Sequence, residues 1–250
     1  MRKLKKPFLF TLACLPVTVV AVLLVCLYQF ELYPAELLQE AVAQLGSISM
    51  VLAVTVVQNT GLVLFCCFFG YLLANRTGLW KPVRPEKRKV CRTLLLSAVL
   101  GIVFSLDYWT FGVVIPEIRE SVQVGLQPIS IAASVLYGGV VEELLLRLFV
   151  MSLLVFLIGK LFCRKQAALP DWCYGAANWM AAILFAAGHL PATMTTFGAL
   201  TPLLLVRCFL LNGGFGLAFG WLYRKYGLVY AMISHMTVHL VSKLLWFLLI

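Results

Sequence analysis

Two adjacent glutamates and three histidines hold most of the chemistry available to this sequence. Glu142 and Glu143 lie in the run Val141-Glu-Glu-Leu-Leu-Leu-Arg147, inside a stretch otherwise rich in leucine. A charge at the centre of a membrane helix costs roughly 2.5–3.5 kcal/mol on the insertion scale, so all three are functional candidates by default. Glu143 and Arg147 stand four residues apart, nearly on one helical face, and can neutralise each other. Glu142 falls about 100° round the helix, with no local partner and a like charge beside it. That placement makes it a candidate general base. The histidines are His189, His235 and His239, each in or at the end of an apolar stretch and none in a connecting loop. His235 and His239 share one helical face. Other hydrolytic signatures are missing: there is no HExxH, no Gly-x-Ser-x-Gly, and only Asp107 and Asp171 to form an aspartyl pair. A glutamate with histidines remains.

These groups need elements to hold them, and composition says what those are. Of 250 residues, 62% are hydrophobic, where a soluble domain has about 45–50%. Charged residues make up 12%, and the mean hydropathy is +0.98. Lipid is the solvent that such a chain requires. Stretches of about 20 apolar residues fall at roughly 8–30, 47–74, 93–114, 129–158, 173–190, 200–222 and 228–250. The expected fold is all-α, a polytopic bundle of seven spanning helices. An eighth is conceivable if 31–46, which reads as a short amphipathic helix, dips into the bilayer. The first stretch is longer than a signal-peptide core and is expected to stay as a signal anchor.

The net charge of +10 would suggest nucleic acid for a soluble chain; here it marks cytoplasmic loops. Basic clusters at 2–6, 76–92, 160–165 and 224–225 alternate with connections that carry Glu31, Glu36, Glu40, Glu117 and Glu120. Seven spans with the N-terminus inside put every basic cluster on the cytoplasmic side. The loop 76–92 separates residues 1–92, with two helices nearly free of ionisable groups, from a block at 93–250 that holds most of the others. At about 1.5 Å per residue, Glu142 and the histidines can meet in the cytoplasmic half of the bilayer. Asp107, Arg207 and Lys243 are expected to be ion-paired or snorkelling, Asn212 to mark helix packing beside Gly213-Gly214, and Gly138-Gly139 to admit a close backbone. The eight cysteines show no CxxC spacing and read as reduced and inert.

In order and spacing, Glu142-Glu143-x-x-x-Arg147, Phe185-x-x-x-His189 and His235-x-x-x-His239 resemble the three motifs of the CAAX protease and bacteriocin-processing (CPBP, or type II CAAX prenyl endopeptidase) family over about residues 129–243. The resemblance implies a glutamate-dependent intramembrane endopeptidase. In it Glu142, helped by His189, activates a water, and His235 and His239 stabilise the oxyanion. Glu143 and Arg147 would be support and Phe185 a wall of the site. The last motif usually ends in asparagine, and His239 stands there instead. An imidazole donates a hydrogen bond but also binds metal. The implied chemistry needs no cofactor, yet zinc is a possible one, with His189, His235, His239 and Glu142 as candidate ligands. Implied partners are a peptide or membrane-protein substrate (a CAAX-like tail, a bacteriocin or pheromone precursor, or another membrane protein) and the lipid bilayer, with no nucleic acid. The cleavage is expected at the cytoplasmic side of a bacterial cell membrane. Two other classes compete: a non-catalytic scaffold or immunity protein, and an ion-coupled transporter.

The charge alternation is testable directly. Reporter fusions after residues 85, 165 and 225 should read cytoplasmic, and fusions near 40, 122 and 196 external. An external 76–92 loop would invert the threading.

Overall fold

The computed structural model describes residues 2–166 and 168–250. Met1, Ala167 and the side chains of Arg2 and Lys3, which belong to the first basic cluster, lie outside the described residues. The helices are α1 (Arg2–Leu32), α2 (Ala35–Leu45), α3 (Ile48–Arg76), α4 (Lys87–Ser105), α5 (Pro116–Gly125), α6 (Pro128–Phe162), α7 (Asp171–Phe197), α8 (Pro202–Tyr226) and α9 (Leu228–Leu249). A 3₁₀ turn at Leu106–Tyr108 and a helical turn at Phe111–Val114 carry α4 on towards α5. Among the described residues, seven helices are long and apolar enough to cross a membrane, namely all but α2 and α5. The eighth crossing is not there: α2 has 11 residues, none buried, and spans about 17 Å against a hydrocarbon core of about 30 Å.

The basic loops meet at one end of the bundle. Lys81 Nζ donates to the carbonyls of Arg224 (2.5 Å) and Lys225 (2.8 Å) at the C-terminus of α8. Burial, then the nearby Lys89 and Arg224 charges, hold its ammonium below the usual lysine pKa. Arg224 pairs with Asp171 at 2.6 Å, and the Tyr174 hydroxyl donates to Thr77 O at 2.7 Å. Phe10, near the start of α1, packs edge-on against Trp80. At the opposite, acidic end, Arg207 grips Asp107 through two nitrogens. This is the pairing expected of them. Among the described residues Lys243 has no ion-pair partner; it donates to Gly125 O at 2.6 Å.

Close approach of backbones does the rest, as small residues allow in a membrane bundle. A Cβ on Gly138 would stand 2.9 Å from His239 Nε2, and one on Gly139 would strike the Met236 side chain, so α6 presses directly on α9. On α8, a Gly216 Cβ would come 3.3 Å from Ala182 Cα of α7. Ser97 of α4 and Ser234 of α9 share a buried hydrogen bond of 2.8 Å. Over Ser134–Glu142 and Leu144–Met151, α6 is wound as a π-helix, with carbonyls bonded to amides five residues on. The α7 helix breaks at His189, because Pro191 lacks the amide that would continue the ladder.

Candidate active site

Glu142 stands on the widened part of α6 and faces two imidazoles. Its Oε1 lies 3.8 Å from His189 Nε2 and its Oε2 3.9 Å from His235 Nε2. Both distances exceed a direct hydrogen bond and suit one bridged by a water molecule. The other nitrogen of each ring is committed. His189 Nδ1 lies 2.8 Å from Phe185 O, and His235 Nδ1 lies 2.9 Å from Glu143 Oε1. A carbonyl and a carboxylate only accept, so both Nδ1 atoms carry the proton, and in the neutral rings both Nε2 atoms present a lone pair to Glu142. The break at His189 serves this arrangement, since it turns the ring back onto its own helix.

Glu143 points the other way, into the protein, and is fully buried. It lies 3.3 Å from Arg147 Nε, as the spacing predicts, and it also orients His235. Arg147 is 1% exposed, donates to Gly216 O at 3.1 Å, and is held between the rings of Phe185 and Phe219, 4.7 and 5.6 Å from its guanidinium carbon. Phe219 also stacks on His235 at 4.4 Å, and His235 on His239 at 5.0 Å. Among the described residues, neither ring nitrogen of His239 has a hydrogen-bond partner.

A cavity of about 410 Å³ opens from this cluster, lined by Glu142, Phe185, His189, His235 and His239 together with residues the sequence reading passed over. Tyr28 and Gln29 of α1 line it, as do Phe104 and Tyr137; no pattern in an apolar run singles these out. Asn212, expected to mark packing, lines it too. The cavity continues through Tyr28, His189 and Asn212 into a second one of about 430 Å³ that reaches Glu117 and Glu120. It therefore runs towards the acidic end of the bundle. As for metal, no three His, Cys, Asp or Glu side chains among the described residues are disposed to hold an ion, so His189, His235, His239 and Glu142 as they stand do not fit one.

Arg147 separates support from chemistry. Arg147→Ala strands the Glu143 carboxylate in a dry interior and should destabilise the fold by about 3–5 kcal/mol, seen as lost abundance and a lower melting temperature. A normally abundant Arg147→Ala protein would show that the pair is not buried as described.

Residues 125–241 match the family model described as type II CAAX prenyl endopeptidase Rce1-like. No curated protein and no solved structure matches the chain. The matched stretch includes Glu142, Glu143, Arg147, Phe185, His189, His235 and His239, and over it the chain is similar to the CPBP family of CAAX-type intramembrane proteases, which supports membership of that family.

Proposed function

We propose that the protein hydrolyses a peptide bond of a membrane-associated peptide or protein, with a water activated by Glu142 and His189. The observation that carries this reading is the pair of imidazole Nε2 atoms aimed at one carboxylate, 3.8 and 3.9 Å away, on the wall of a cavity inside the bundle. A water between Glu142 Oε1 and His189 Nε2 donates one proton to each and keeps its oxygen lone pair for the carbonyl carbon of the substrate. As the C–O bond forms, one proton passes to Glu142 and the carbonyl electrons move onto oxygen. Glu142 then delivers that proton to the amide nitrogen as the C–N bond breaks, which leaves an acid and an amine.

The oxyanion needs a donor. His239 has an uncommitted N–H in the cavity, and the Asn212 amide lines the same wall. His235, with Nδ1–H bound to Glu143, donates from Nε2 only when protonated, so His239 is the better oxyanion group and His235 a second acceptor beside Glu142. Each of these steps uses only residues of this chain. The immunity-protein alternative gives no reason for two imidazoles to face one glutamate, and an ion-coupled transporter, which could use the same cluster, is disfavoured by the lack of a visible inverted repeat in the sequence.

Glu142→Gln keeps volume and removes the base. It should abolish product release from reconstituted membranes while the protein stays folded and abundant; full activity would sink the assignment. His239→Ala should cost about 100–1,000-fold in rate, the usual loss for one oxyanion donor. His239→Asn, which restores an N–H donor, should retain much of the activity. A chelator should leave the wild type active. A dead His239→Asn variant together with stoichiometric zinc in purified protein would replace this scheme with a metal one.

A further inference from the structure

Two cysteines that the mechanism does not use meet at the basic end of the bundle. Cys163 caps the C-terminus of α6, its amide bonded to Gly159 O at 3.0 Å, and Cys173 stands in the first turn of α7. They are ten positions apart in the chain, and their Sγ atoms lie 3.4 Å from each other. Both residues are buried, at 4% and 0% exposure. After Cys163 the chain folds back on α6: Gln166 N donates to Cys163 O at 3.0 Å, and Leu169 lies against Gly159. That turn sets the two sulfurs side by side. The pair is still close to the surface, because Phe162 and Arg164, which flank Cys163, and Trp172, which precedes Cys173, are exposed. Disulfide sulfurs stand about 2.05 Å apart, so this pair needs to close by only about 1.4 Å. Small side-chain rotations supply that.

We propose that Cys163 and Cys173 are a site of reversible disulfide formation, and that the bond staples α6 to α7 at the end of the bundle away from the open cavities. The oxidant is a small disulfide of the glutathione class, admitted when the turn after Cys163 opens locally. One protein thiol loses its proton and attacks that disulfide, which forms a mixed disulfide and releases one small thiolate. The second protein thiol then loses its proton and attacks the protein sulfur of the mixed disulfide, which forms the Cys163–Cys173 bond and releases the second small thiolate. The two protons end on the two released sulfurs: a pair of protein thiols is oxidised and one small disulfide is reduced. The charge alternation points to the cytoplasm for this end, and there small thiols run the exchange backwards. The bond therefore forms under oxidising conditions and is undone when they pass. The cysteines, which the sequence reads as inert, include one pair that is not.

The test uses the full chain, purified in mild detergent and incubated with oxidised or with reduced glutathione. Free thiols are then blocked and the protein is digested with trypsin. Arg164 and Lys165 lie between the two cysteines, so cleavage leaves them on two peptides that only a disulfide holds together. Oxidised wild type should give that linked pair by mass spectrometry and melt about 5–10 °C higher than the reduced protein; dithiothreitol should reverse both. Cys91, exposed on α4, should carry glutathione itself and so shows that the oxidant has acted. Cys163→Ser and Cys173→Ser should each abolish the linked pair and melt at the same temperature in either form of glutathione. A wild type that modifies Cys91 but leaves Cys163 and Cys173 free overturns the proposal. So does a lasting glutathione adduct on either of the two, or a linkage of either to another cysteine. These readings come from wild type alone and stand even if a serine variant fails to fold. A linked pair with no rise in melting temperature overturns the stapling role.

Discussion

A carboxylate buried between a guanidinium and an imidazole constrains the rest of this bundle. Glu143 has no access to water, so its charge is tolerable only with Arg147 and His235 in place. Arg147 in turn exceeds what one carboxylate can satisfy. Its Nη2 takes Gly216 O and its faces take Phe185 and Phe219, which belong to α7 and α8. Those two helices must therefore lie close, and Gly216 against Ala182 lets them. The packing of three helices follows from one ion pair, and the orientation of His235 comes with it.

The winding of α6 is the second constraint. Glu142 and Glu143 are neighbours in the chain, yet one must face a polar cavity and the other the dry core. The π-type turns widen the helix over this stretch, and such widened turns recur at functional sites. They also bring Gly138 and Gly139 against His239 and Met236, so that α9 approaches far enough for His235 to reach both carboxylates. A side chain at either glycine would hold the imidazoles away from Glu142.

What the sequence made legible follows from how strongly lipid penalises exceptions. Charges in apolar runs are few, and Glu142, Glu143, Arg147 and the three histidines stood out for that reason; the structure brings all of them together. The seven spans were legible on the same ground; for Asp107 and Arg207 the sequence left ion pairing and snorkelling open, and the structure pairs them with each other. What stayed hidden carries no such penalty. Tyr28, Gln29, Phe104 and Tyr137 look like any lining of a membrane helix, although α1, α4 and α6 use them to wall the cavity. The π winding leaves no periodicity to read over so short a stretch.

The two ends of the bundle differ in a way that decides how water reaches Glu142. On the basic side, α6 continues from Glu142 as Leu144, Leu148, Met151 and Val155, all fully buried, and the loops above them are tied by Lys81, Arg224 and Tyr174. An apolar plug of that length excludes water. On the acidic side, the catalytic cavity joins others lined by Glu117, Glu120, Ser121 and Thr193. A cavity of about 260 Å³ on the basic side, lined by Phe10, Trp80, Lys81, Val140 and Leu144, has almost wholly apolar walls and does not include Glu142. Polar-walled cavities on the acidic side do include it or join the one that does, so the favourable route for water to Glu142 runs from that side.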